Sequence, residues 1–322
     1  MRVFLLGLAA ALSLGAAIPA WSQASYPSKP VKVLVGFTPG SAADIVARIV
    51  AQKLGADFGQ PFVIENRPGA GSSIAAEAAV RSPPDGYTLL MGSVANTINA
   101  TLAKDLPFEF DRDLVPIVAV ASVPNLLVVN PSVPARSVQE LIAIGRANPG
   151  DLLFGSSGKG TSPHLSGELF GLMAGLKLVH VPYKGSPQAV ADLLAGRVSV
   201  MFSPASTVLP HVRAGTLRAL ASSGAYRSSA APDLPTIAES GLPGFETSVW
   251  LGLLAPAATP HEIVERLNED TVQALGGADV KAQLVAQGID PMGGTPQQFA
   301  AYIRQETEKW ARVVQAAGAR LD

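Results

Sequence analysis

The chain has 322 residues, no cysteine, and 24 basic against 25 acidic side chains. The missing cysteines exclude a thiol nucleophile, thiolate metal ligation and disulfide staples. The near-neutral balance argues against nucleic acid or an anionic membrane surface as partner, and the length allows two domains with sizeable cores.

In chain order, Arg2 and an almost wholly apolar or small stretch from Phe4 to Ala20 come first. Ser22-Gln23-Ala24 then places small residues at the −3 and −1 positions of a cleavage site. Residues 1–24 are expected to be a secretory signal peptide, with an apolar part too short for a membrane span. No later run reaches ~18 consecutive apolar residues, so the mature chain is expected to be exported and soluble.

Lys32 to Phe37 is a short apolar run that predicts a buried strand, closed by "TPGSAAD". Ile45, Val46, Ile49, Val50 and Leu54 then recur at helical spacing and predict a helix from Asp44 to Phe58. Pro61 to Glu65 is a second strand, Ser73 to Arg81 a second helix and Thr88 to Met91 a third strand. Such alternation marks an α/β unit with a largely parallel sheet.

"PIVAVASVPNLLVVNPSV" follows and predicts two apolar strands split by Pro124. The theme then restarts. Strands at 152–154, 178–181, 198–202 and 217–222 alternate with helices at 165–174, 188–195 and 208–214. "SVWLGLLAPAATP" is again apolar, and only helices are expected after it, at 261–275, 279–287 and 296–317. A helical tail needs a sheet to cover, so the chain is expected to cross between lobes twice. The expected division is lobe 1 at 25–123 and 252–322 and lobe 2 at 124–251. Two extended crossings would make a hinge beside a cleft, where ligands bind in such architectures.

Two loops could carry chemistry. "GSSGKGTS", from Gly155 to Ser162, lies between a strand and a helix. There the backbone N–H groups lack helical partners and the helix dipole adds partial positive charge, so glycines and hydroxyls can cradle an anion. "TPGSAAD", Thr38 to Asp44, repeats the device in the first half. Each loop taken singly is equally well read as capping and turn chemistry; the pairing points to a ligand.

Nucleotide and hydrolase motifs fail. A P-loop ending at Gly158-Lys159 would need glycine where Leu153 stands, a dinucleotide loop from Gly69 and Gly71 would need one at Ile74, and a nucleophile elbow would need one at Lys159. The four histidines, His164, His180, His211 and His261, show no metal-ligand spacing. His164 is either a ligand contact or a local packing group, and Asp44 either a first-turn carboxylate or an organiser of its loop. Phe37 is core or an apolar pocket wall; Lys184 is a solvated lysine or a charge on the cleft rim.

Several long stretches resemble one family in order: "YPSKPVKVLVGFTPGSAADIVARIVAQKL", "VIENRPGAGSSIAAEAAVRSPPDGYTLLMGS", "FGSSGKGTSPHLSGELF", "VPYKGSPQAVADLLAGRV" and "DLPTIAESGLPGFE". The family is that of the solute-binding receptors of tripartite tricarboxylate transporters, or Bug-type receptors. The resemblance spans essentially the whole mature chain. It implies a two-lobed α/β periplasmic binding protein, a monomer with no cofactor or metal, that closes on a small organic carboxylate and passes it to membrane permease subunits. Carried over, the ligand-binding residues are Phe37, Thr38, Pro39, Gly40, Ser41, Ala42, Ala43 and Asp44 in the first loop. The second contributes Gly155, Ser156, Ser157, Gly158, Thr161, Ser162 and His164, with Ser93, Asn96, Tyr183, Lys184 and the "SPAS" loop from Ser203 to Ser206 lining the cleft. The sequence departs from the family pattern at Ser41, where a second glycine is usual, and at Ala43, where a small polar residue is usual. The rival readings are an exported hydrolase using Ser157 or Ser162 with His164, and a sensor presenting its ligand to a membrane kinase.

Overall fold

The computed structural model describes residues 26–102, 106–228 and 230–317, and the expected signal peptide lies outside them. The first half opens with β1 (Val31–Val35), α1 (Ala42–Phe58), β2 (Phe62–Asn66), α2 (Ser73–Val80), β3 (Thr88–Ser93), α3 (Val94–Leu102) and α4 (Phe110–Asp113). β1 lies between β2 and β3 and is parallel to both. Val31, Val33, Leu34 and Val35 are all buried, as a strand covered on both faces requires.

The centre of the molecule is β4 (Leu114–Val129), a single 16-residue strand where the sequence predicted two. Its first part, Leu114 to Pro124, pairs with β9 (Ser248–Pro256), and its second, Asn125 to Val129, with β7 (Val200–Pro204). Pro124 sits where β4 leaves one set of partners for the other. A residue without an N–H is tolerated there, and the backbone continues through it. Pro116 likewise lies at a register shift.

The second half runs α5 (Val138–Ala147), β5 (Leu153–Ser156), α6 (Ser162–Ala174), β6 (Val179–Pro182), α7 (Ser186–Leu194), β7, α8 (Ala205–Arg213) and β8 (Arg218–Ser222). β5 is parallel to β6 and β7, and β8 pairs with β4. Each half therefore has a parallel set built from strand–helix units beside antiparallel strands that run through the centre. β9 pairs along its whole length with the first part of β4, and at Leu251–Leu254 with β3.

The tail comprises α9 (His261–Gly276), α10 (Ala278–Ala286), β10 (Asp290–Gly293) and α11 (Pro296–Ala317). β10 corrects the expectation of helices only: it adds antiparallel to β4 at Ala119–Ser122. Its four residues, "DPMG", offer no apolar alternation to read. α11 packs on α3, β4 and α6, and so touches both halves. Trp310 on it is fully buried, its indole N–H donating to Glu306 Oε2 at 2.9 Å. No helix among the described residues is long and apolar enough to cross a membrane.

α3 and α5 were not expected from the sequence. α3, "VANTINATL", follows β3 with no turn residue between and carries weak helix formers. Its polar groups are held by specific bonds instead. Asn96 Oδ1 accepts from Ser93 N–H at 2.9 Å, Thr97 Oγ1 donates to Val94 O at 2.8 Å, and Asn99 Nδ2 donates to Gly71 O at 3.0 Å.

Candidate functional site

The loop from β1 to α1 is organised from beneath by Asp44. Its carboxylate is buried and accepts from Gly40 N–H, Asn66 Nδ2 and Arg48 Nε, each at 2.9 Å. Burial alone would raise its pKa; the bonds from Arg48, Gly40 and Asn66 outweigh burial and hold it below the usual carboxylate value. Asn66 also donates to Phe37 O at 3.0 Å. Asn66, at the end of β2, is thus a main tie of this loop. Ser41 caps α1, its Oγ accepting from Asp44 N–H at 3.3 Å.

The loop from β5 to α6 has its own supports. Thr161 is the N-cap, accepting from His164 N–H, and donates to Gly158 O at 2.7 Å. Gly158 and Gly160 take φ of 127° and 70°, conformations that suit glycine. His164 lies under the loop: Nδ1 accepts from Gly160 N–H at 3.2 Å, and Nε2 faces Glu168 Oε1 at 3.6 Å. Ser156 turns its fully buried hydroxyl to His180 Nε2 at 2.6 Å and accepts from Gly158 N–H at 3.1 Å. His180 stacks between Phe154 and His164, with ring centroids 4.8 and 4.1 Å away. Burial first, then the charges of His164 and Lys159, push its pKa down to about 3.

Between the two loops lies a narrow slot of about 30 Å³. Of the expected residues, Phe37, Ser41, Ala42, Ala43, Ser93, Ser157, Thr161 and Ser162 line it. Pro204 of the expected "SPAS" loop lines it too, as do Val94, Ala95, Pro163, Ser186, Val249 and Leu251, which were not expected. The slot gathers the amino ends of five helices: α1, α3, α6, α7 and α8. None of its lining side chains is charged. A helix amino end carries partial positive charge at its first-turn N–H groups, so this arrangement can attract an anion without a charged side chain in the lining.

A wider groove of about 780 Å³ shares Phe37 and Ser157 with the slot, and Gly158, Tyr183 and Lys184 line this groove. Tyr183 donates to Asp192 at 2.7 Å. Pro39 and Gly40 are exposed on the first loop. Gly155 lies in β5 against Val198 and Ala189, and Asn96 caps behind Ser93. Ser203 is buried in β7, paired opposite Leu126. Thr38 faces Gly185 across the cleft.

Behind the slot, Asn125 Nδ2 donates to Ser162 Oγ at 2.8 Å. Asn125 N–H donates to Ser223 Oγ at 3.1 Å, and Ser223 Oγ donates to Thr247 O at 2.6 Å. Ser166 Oγ donates to Thr247 Oγ1 at 2.7 Å. These fully buried groups tie β4 just past Pro124 and the segment just before β9 to the start of α6. Only their position just past Pro124 and just before β9 gives them that role, and spacing in the sequence does not reveal it.

The hydrolase reading fails on His164, because its Nδ1 lone pair accepts from Gly160 N–H, which leaves Nε2 as the N–H of the neutral ring with no lone pair to serve as a base. The serine that does meet an imidazole, Ser156, is fully buried and has no access to substrate. His164, Glu168 and His180 place possible metal-ligand atoms within 4.8 Å of one another. The two imidazoles are stacked 19° from parallel, so their in-plane lone pairs run side by side and do not converge on one ion.

Two α/β lobes around a slot lined by uncharged side chains define a periplasmic-binding-protein fold. The Rpa4515 protein of R. palustris, solved with adipate, superimposes with a TM-score of 0.90 at 38% identity, over 92% of this chain and 99% of that one. MatC of Rhodopseudomonas palustris, solved with bound malate, gives 0.85 at 30% identity, over 90% and 100%. BugT of Bordetella pertussis is 40% identical over 302 residues, 93% of each chain. Residues 46–319 match the model of the tripartite tricarboxylate transporter family receptor, and this chain belongs to that family. The family is one of receptors, not of enzymes.

Proposed function

We propose that this chain is an exported, monomeric receptor that captures a small organic carboxylate in the interlobe cleft, its carboxylate at the slot and its body in the adjoining groove, and delivers it to the permease of a tripartite transporter. The observation that carries the reading is the convergence of five helix amino ends on a slot with no charged side chain. A carboxylate is the anion such a site favours at modest cost, since backbone N–H groups and serine hydroxyls supply the bonds. The adipate and malate held by the two similar structures fit this chemistry. On this reading the hinge lies at Pro124–Asn125 and Thr247–Ser248, so residues 248–251 move with lobe 1.

Ser157 borders both slot and groove, and its residue is 8% exposed. Ser157→Leu is expected to abolish the rise in melting temperature that adipate or malate gives the unaltered protein, while shifting the ligand-free melting temperature by only a few degrees. Retained stabilisation in Ser157→Leu would remove the slot from the binding site.

A further inference from the structure

Gly185 opens α7 in the second half, and Thr38 lies in the β1–α1 loop of the first. A Cβ on Gly185 would overlap the Thr38 hydroxyl and stand 3.3 Å from Thr38 Cβ. That hydroxyl is buried with no hydrogen-bond partner among the described residues. Beside this contact, a Cβ on Gly40 would meet Pro187 Cγ at 3.6 Å. A second contact of the same kind joins Asn99 of α3 to the β5–α6 loop. A Cβ on Gly160 would overlap Asn99 Oδ1 and stand 3.0 Å from its Cγ. A Cβ on Gly71 would lie 3.2 Å from Lys159 O. Both contacts join loops from the two halves of the molecule, and the slot lies between those loops.

We infer that Gly185 and Gly160 form a side-chain-free seam that sets how far the lobes close, and through closure sets ligand affinity without touching the ligand. The inference rests on the proposed reading of the chain as a closing receptor. A side chain in the seam repels only when the lobes meet. It therefore lowers the closed population, and apparent affinity falls by the same factor. Gly185 is the clean probe. Its φ of 176° is extended backbone that alanine adopts freely, so the substitution adds no strain in the open or unfolded chain. Gly160, at φ 70°, would add backbone strain of its own.

The chain has no cysteine, which permits a direct test of the seam. In the double variant Thr38→Cys/Gly185→Cys the two Cβ atoms stand near the separation that a disulfide requires. Mild oxidation is expected to form the intramolecular bond, and adipate is expected to speed it. Absence of the bond with and without adipate would overturn the seam. In calorimetry with adipate, Gly185→Ala is expected to bind about ten- to a hundredfold more weakly, the range set by overpacking. Its ligand-free melting temperature should be unchanged. Thr38→Gly/Gly185→Ala should bind no more weakly than Thr38→Gly alone, because the Thr38 hydroxyl and Cβ that the new side chain meets are both gone. Unchanged affinity in Gly185→Ala, or no relief in the double variant, would overturn the inference. Should adipate give no heat with the unaltered protein, the cross-link still decides the seam, and the failure falls on the ligand reading.

Discussion

Asp44 shows how a single buried charge shapes the site. It reaches no slot surface, yet it holds Gly40 and, through Asn66, the carbonyl of Phe37. Replacing it with alanine leaves Asn66 and the Gly40 N–H without their acceptor, at a cost of about 1–3 kcal/mol. Denaturant titration of Asp44→Ala should show that loss together with weaker ligand binding. Its lowered pKa means that its contribution is present above the ordinary carboxylate range and is lost as pH falls through the folded value. His180 acts at higher pH. Folded, it stays neutral down to about pH 3, whereas an unfolded chain takes up the proton near 6.5. Between those values the unfolded state binds more protons, so stability rises with pH; it is fully present above 6.5 and erodes below. His180→Phe, packed between Phe154 and His164, should lose less melting temperature between pH 7 and pH 5 than the unaltered protein does.

At the scale of elements, α6 joins binding to packing. Its first turn offers Thr161, Ser162 and Pro163 to the slot, and its interior Gly167 rests on Phe154. A Cβ at 167 would come within 2.7 Å of the ring's Cζ and overlap other ring atoms. Gly167→Ala should therefore destabilise by about 1–3 kcal/mol in chemical denaturation, despite alanine's higher helix propensity. Asn125→Ala should cost about as much, since Ser162 and the crossing segments lose a fully buried partner. What the sequence disclosed also divides at this scale. Apolar period and glycine punctuation marked β1, α1, β5 and α6, and with them both cradle loops. α3 was hidden because asparagine and threonine are weak helix formers, and tertiary bonds hold them there. Val249 and Leu251 read as ordinary strand residues, and only the placement of β9 beside β3 brings them to the slot.

For the whole molecule, the continuous β4 and the seam loops describe one device. β4 runs through both lobes, and α11 packs on elements of each. The larger apolar core continues from Val33 and Val46 in the first half to Met201 and Val208 in the second. The lobes are thus tied on one side and meet by glycines on the other, an arrangement suited to hinge closure. Alternation and glycine punctuation marked the two halves and both loops in the sequence, and the family resemblance added that they form a two-lobed receptor. Neither disclosed the close approaches, which depend on residues distant in the chain, such as Thr38 and Gly185.

The most direct test of the receptor reading is mass spectrometry of what the protein retains from a mixture of mono-, di- and tricarboxylates. The purified mature chain is incubated with the mixture, desalted and denatured, and the released small molecules are identified. The account predicts one unaltered organic carboxylate per chain, lost in Ser157→Leu. Retention of no carboxylate, or recovery of a chemically altered product, would contradict it.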